Sequence, residues 1–107
     1  MFVKSFNDMA KVVHKNAKDK GFWDGSRNFG EQVALMHSEL SEALEAARHG
    51  NPPDKHCPEF SNTEVELADT IIRIMDTSEG LGLRVAEALV AKVGFNATRP
   101  HMHGKKF

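Results

Sequence analysis

HSELSEALEAAR (His37–Arg48) and EVELADTIIRIMD (Glu64–Asp76) are the two stretches that decide the fold. In the first, Leu40, Ala43, Leu44 and Ala47 recur at three- and four-residue intervals, and the stripe runs back to Met36 and Val33. That spacing marks one face of an α-helix and predicts a helix from about Gly30 to His49, stopped by Gly50. The second stretch predicts a helix from Asn62 or Thr63 to near Gly80, with Glu64 and Glu66 complementing the dipole in its first turn. At 100° per residue, Val65, Leu67, Ala68, Ile71, Ile72, Ile74 and Met75 cover about half of its circumference. One neighbouring helix does not cover so wide a face, and a partner subunit is the simplest second contact.

Outward from these stretches the chain stays helical. Phe6, Met9, Ala10, Val13 and Ala17 predict a helix from about Ser5 to Lys20, ending at Gly21. GFWDGSRN (Gly21–Asn28) reads as a loop, with Asp24, Ser26 and Asn28 as turn formers. Pro52, Pro53 and Pro58 break regular structure between Asn51 and Asn62. Leu83, Ala86, Val90, Val93 and Ala97 predict a fourth helix from about Gly82, closed by Pro100, with Gly94 inside it costing about 1 kcal/mol against alanine. HMHGKKF (His101–Phe107) has no periodicity. No stretch alternates with period two for long enough to make a strand. The expectation is an all-α four-helix bundle, one domain over residues 1–107, oligomeric through helix packing.

Composition narrows the function. The single Cys57 forms no internal disulfide and fits a reducing, cytoplasmic setting. The N-terminal MFVKSFNDMAKVVHK lacks the apolar run of a signal peptide, and no run of 18 apolar residues offers a membrane span. Net charge is −1, too neutral for a general nucleic-acid binder. Its distribution is uneven: residues 28–79 carry three basic and eleven acidic side chains, while the flanking segments are net basic. An acidic middle between basic ends suits a ligand that needs metal cations and anion-binding side chains together. Solvated helix faces of differing sign account for the same pattern.

Within the two helices sit two acid pairs of equal spacing, Glu39 with Glu42 and Glu66 with Asp69. Residues three apart lie on adjoining turns, so each pair presents its carboxylates in one direction. If the helices pack antiparallel, four carboxylates converge and repel by several kcal/mol unless a divalent cation joins them. An all-oxygen ligand set selects Mg²⁺, with Mn²⁺ as a substitute, over zinc or copper. The Glu-x-x-His pairs of carboxylate-bridged di-iron bundles are absent. Exposed acid pairs also serve solubility alone, and Glu66 and Asp69 fall on the polar side of their helix. Glu39 is harder to read that way, because Leu35, Ala43 and Ala46 surround it on the helix surface.

The paired Glu39-x-x-Glu42 and Glu66-x-x-Asp69, separated by 23 residues, resemble the signature of the MazG-like all-α nucleotide pyrophosphohydrolases. KGFWD (Lys20–Asp24), HSELSEALE (His37–Glu45), ELADTIIRIMD (Glu66–Asp76) and KVGFNATRPHMHGKKF (Lys92–Phe107) extend the likeness, which covers most of the chain. It is nearest to the short single-domain members found in phages and mobile cassettes. The resemblance implies dimers or tetramers, and Mg²⁺ held by Glu39, Glu42, Glu66 and Asp69. It also implies hydrolysis of (deoxy)nucleoside triphosphates to monophosphate and pyrophosphate, with Glu39 or Glu42 orienting the water. Lys92 and Asn96 match the family's Lys-x-x-x-Asn element for gripping substrate; Phe95 stands where relatives often carry tyrosine.

Arg99, seven residues after Lys92, shares its face, and Lys105 and Lys106 add positive charge nearby. Trp23 is a candidate for stacking on a nucleobase, or equally a plug for the end of the bundle. Arg73 either touches substrate or, the favoured reading, pairs with Asp69 or Asp76 on its own helix. His101-x-His103 with His56 and Cys57 matches no zinc spacing, and no glycine-rich phosphate loop is present. Two rival functions stay open: a phosphoribosyl-ATP pyrophosphatase-like activity, and a helical interaction module without catalysis.

Overall fold

The computed structural model describes residues 1–25 and 28–107, so Ser26, read above as a turn former, lies outside the described residues. Four helices follow in order: α1 (Phe2–Asp19), α2 (Phe29–Arg48), α3 (Asn62–Leu81) and α4 (Val85–Asn96), then a short 3₁₀ turn (His101–Gly104). No strand is present among the described residues; one isolated antiparallel bridge joins Pro53 to Ser61. None of these helices is long and apolar enough to cross a membrane. The all-α expectation holds.

The helix ends follow local chemistry. Asn28 caps α2 by accepting a hydrogen bond from the Glu31 amide, and Ser61 and Glu64 form a reciprocal capping box at the start of α3. At the end of α1 the Gly21 amide donates to Lys18 O and the Phe22 amide to Ala17 O. This Schellman closure needs a left-handed residue at Gly21, whose φ is +87°. The chain is thereby turned so that Phe22 and Trp23 fold back along the helix bundle.

α3 ends at Leu81, near Gly80 as the sequence reading has it. The left-handed stop is Gly82, at φ +68°, while Gly80 is helical. Gly80 serves packing instead: a Cβ there would lie 2.6 Å from Trp23 Cζ2 and 3.0 Å from His14 Cε1. The absent side chain is the space the indole occupies. In consequence α4 starts at Val85, three residues later than expected.

α2 and α3 form the central pair, α1 lies on α3, and α4 rests on α1. Glu39 of α2 meets Arg73 of α3, while Glu42, Ala46 and His49 border Glu66 and Asn62. Ascending positions in one helix therefore face descending positions in the other, and the pair is antiparallel. The connecting loop is closed at its base, where the Asn62 amide donates to Pro52 O and the Thr63 amide to Asn51 Oδ1. Asp54 is buried in this loop and accepts from the amides of His56 and Cys57.

The stripe on α2 is rotated from the one hydrophobicity suggested. Gln32, Glu39, Ala43 and Ala46 are buried, whereas Leu40 and Leu44 are exposed. Acidic Glu39 faces inward because it has partners on α3. On α4 only Ala86 of the expected stripe is buried. Buried apolar residues are all alanines (Ala10, Ala43, Ala46 and Ala86), and no large side chain is fully buried among the described residues.

The single chain is correspondingly open. It exposes 8021 Å² at 11.9 kDa, against about 6,000 Å² for a folded monomer of that mass. Its radius of gyration is 16.0 Å, against about 13 Å for a compact domain of this length.

Candidate metal centre

Successive turns of α2 carry Glu39 and Glu42, and successive turns of α3 carry Glu66 and Asp69. The antiparallel packing brings one carboxylate oxygen from each of Glu39, Glu42 and Glu66 within 4.8 Å of one another. Glu39 is buried, Glu66 half-buried and Glu42 exposed, so the group opens to solvent at the Glu42 end. Asp69 stands beside it, lining the same cavity as Glu39.

Electrostatics register the crowding. Burial, then the neighbouring Glu42 and Glu39 carboxylates, push the Glu66 carboxyl up to about 8. Asp69 is raised as well, by burial first and then by the charge of Glu39; Arg73 opposes the shift, and Asp54 and Glu42 add to it. Glu66 Oε2 is buried and accepts no hydrogen bond among the described residues. Its close neighbours are acceptors when ionised, so a shared proton or a cation must supply the missing positive charge.

The donor set fits a hard divalent ion. Two oxygens bound to one Mg²⁺ at 2.0–2.1 Å lie at most about 4.2 Å apart, and up to about 5 Å around Ca²⁺. Glu39, Glu42 and Glu66 would hold the ion; Asp69, expected as the fourth ligand, is not among the acids whose oxygens converge.

One cation already touches the group. Arg73 Nε donates to Glu39 Oε1 at 3.0 Å, across from α3 to α2. This corrects the expectation that Arg73 pairs with Asp69 or Asp76 on its own helix. Asp76 is engaged elsewhere: it accepts Trp23 Nε1 at 2.9 Å and binds His14 Nδ1 at 2.8 Å.

Glu39 and Asp69 line a cavity of about 430 Å³, within the range of small-molecule sites. Val13, Asn16, Ala17 and Lys20 of α1 form one wall, opposite Glu39, Asp69 and Arg73. The wall is legible in retrospect, since these four residues stand at i, i+3, i+4 and i+7 and share a helix face. A second recess of about 330 Å³ lies at the Glu42 end, lined by Glu45, His49 and Glu66 among others.

Of the other expected site residues, Trp23 packs edge-on against His14, with ring centroids 4.9 Å apart, and is tied to Asp76. It borders a recess of about 20 Å³, room for a water and far short of a nucleobase. The plug reading describes this placement. Lys92 and Arg99 lie over the Phe95 ring, at 4.8 and 5.5 Å from its centroid. Asn96, on the same helix, keeps a buried Oδ1 that accepts no hydrogen bond among the described residues. None of these three lines the cavity within one chain. No family model, curated protein or solved structure matches this chain.

Proposed function

We propose that the protein is a Mg²⁺-dependent nucleotide pyrophosphohydrolase of MazG-like type, cleaving (deoxy)nucleoside triphosphates between the α and β phosphates. The observation that carries this reading is the convergence of Glu39, Glu42 and Glu66 from two antiparallel helices, with Glu39 lining a cavity of about 430 Å³ on one side and Glu42 and Glu66 a recess of about 330 Å³ on the other. A solubilising role for the acids is disfavoured, because burial of Glu39 and of Glu66 Oε2 has no solubility benefit.

Bound there, Mg²⁺ supplies charge neutralisation at the phosphate oxygens and polarises the bond that breaks. The chain's residues divide the rest of the work. Glu39, held by Arg73, would be the fixed ligand of such an ion. Glu42, the exposed member, is best placed to orient a water entering from the recess beside Glu45 and His49 and to accept its proton. Water oxygen attacks phosphorus, the α–β bridging oxygen leaves with pyrophosphate, and the monophosphate carries the new oxygen.

The active form is a homo-oligomer, dimer or tetramer. Its support is the surplus of about 2,000 Å² over a compact monomer, well above the about 800 Å² per partner of a standard interface. Leu40 and Leu44 of α2 and Leu67 and Ile71 of α3 lie exposed in i, i+4 pairs on adjacent helices, an apolar face of the kind a second copy covers. A neighbouring copy is also the route by which Lys92, Asn96 and Arg99 would reach a carboxylate site.

The deciding experiment measures pyrophosphate release from a panel of nucleotides that includes phosphoribosyl-ATP, with Mg²⁺ and with EDTA. Metal-dependent turnover of ordinary dNTPs is expected. Turnover confined to phosphoribosyl-ATP changes the substrate, and silence throughout, with no Mg²⁺-induced thermal shift, leaves an interaction module.

A further inference from the structure

We propose that Lys20 of α1 and Arg73 of α3 form the anion-binding pair of the cavity, holding the part of a substrate's phosphate chain that the carboxylate-bound cation does not reach. This rests on the reading of the site as one that accepts a polyphosphate. A phosphate chain entering a pocket walled by Glu39 and Asp69 meets repulsion that one divalent ion only partly offsets, so positive side chains are needed close by. Among the described residues, Lys20 and Arg73 are the basic side chains that line the cavity. Lys92 of α4 and Arg99 just beyond it, both over the Phe95 ring, do not line it.

Both side chains have capacity to spare. The bond to Glu39 uses Arg73 Nε alone, and the terminal nitrogens of the guanidinium have no hydrogen-bond partner among the described residues. A planar fork with free terminal N–H groups matches two phosphoryl oxygens. Lys4 and Lys15 on α1 are each tied to an aspartate four residues later, at 2.7 Å. The Lys20 ammonium has no ion pair among the described residues. Its position is fixed by backbone, since Lys20 is the residue before left-handed Gly21, in the turn closed by the Gly21 and Phe22 amides. The end of α1 thus adds a positive charge to the cavity lining, alongside the Arg73 fork that binds Glu39.

Calorimetric titration with inorganic tripolyphosphate in the presence of Mg²⁺ tests the pair without any turnover. Lys20→Met is expected to weaken binding about tenfold or more, as loss of a charge-assisted contact does. Lys20→Arg is expected to keep most of the affinity. Lys18→Met, which removes the same charge two residues away and off the cavity wall, is expected to bind as wild type. A parallel titration with an α,β-methylene nucleoside triphosphate shows whether the pair serves free polyphosphate or a nucleotide's chain. The proposal is overturned if Lys20→Met binds tripolyphosphate as tightly as wild type, if Lys18→Met loses as much, or if wild type does not bind it. Loss of binding in Lys20→Met alongside a wild type that hydrolyses no nucleotide leaves the anion site standing and removes the hydrolase reading alone.

Discussion

Arg73 of α3 reaches across to α2 and binds the least exposed acid of the cluster, Glu39, whose side chain is 11% exposed. The pair does part of what a divalent ion bound at the cluster would do, by balancing a carboxylate that has left water. Arg73→Met should therefore destabilise the metal-free protein by about 1–3 kcal/mol, less than for a fully buried pair because Arg73 is 32% exposed. Added Mg²⁺ should recover part of the loss. Chemical denaturation with and without Mg²⁺ checks both; equal stability of variant and wild type in EDTA would count against the pairing.

The raised carboxyl of Glu66 gives stability a pH dependence of known sign. Its folded value, about 8, lies above the ordinary 4.5, so between these limits the folded state binds more protons than the unfolded chain. Stability of the metal-free protein should fall as pH rises from about 4.5 to 8 and level off above. The neutral isostere Glu66→Gln should flatten that slope. Melting temperature against pH in EDTA reads it directly, and in saturating Mg²⁺ the decline should shrink or reverse, because the ion replaces the proton.

Turnover should depend on acids that the fold does not need. Glu42→Gln and Asp69→Asn are expected to abolish pyrophosphate release while the circular dichroism spectrum is retained. Either variant keeping most wild-type activity would mean that the ligand set is misassigned.

Gly80 should not tolerate a methyl group. In an unconstrained helix, alanine is favoured over glycine by about 1 kcal/mol. Here the new Cβ would meet the Trp23 ring, which Asp76 and His14 hold from two sides. Gly80→Ala is expected to cost about 1–3 kcal/mol as an overpacking change, and combination with Trp23→Leu should relieve it. Thermal unfolding of the single and double variants measures the coupling.

Replacing apolar residues on the open face should change assembly state before it changes helicity. Wild type is expected to sediment as a dimer or larger, and Leu44→Glu with Ile71→Glu as a smaller, less stable species. Analytical ultracentrifugation distinguishes these; a wild type that is monomeric at all concentrations removes the oligomer from the proposal.

The helices were readable because their signals are local: periodic apolar residues, Asn28 and Ser61 as caps, Gly21 and Gly50 as stops. What failed depended on partners distant in sequence. Hydrophobicity turned Leu40 and Leu44 inward, yet α2 presents Glu39 to α3, since a cross-helix bond to Arg73 outweighs an aliphatic contact the chain alone does not complete. Gly80 lies in the last turn of α3 and leaves room for the indole of Trp23, a contact that no local pattern announces. Lys20 and Asn16 share a helical face with Val13 and Ala17, but a polar position on an amphipathic edge gains meaning only from what lies opposite. The acid pairs were legible by spacing, since three-residue separation fixes direction whatever the surroundings.

The loop between the acid pairs behaves as a buckle. Hydrogen bonds from Asn62 to Pro52 and from Thr63 to Asn51 fasten its two ends, so the register of α2 against α3 does not depend on what lies between. Within the loop, buried Asp54 gathers the amides of His56 and Cys57, and the Phe60 amide donates to Cys57 O, so the segment around Lys55–Glu59 is itself a bonded turn. The distance between the two motifs is thus held by the fastened ends of the loop, and the exposed thiol of Cys57 offers a place to attach a probe that reports on it.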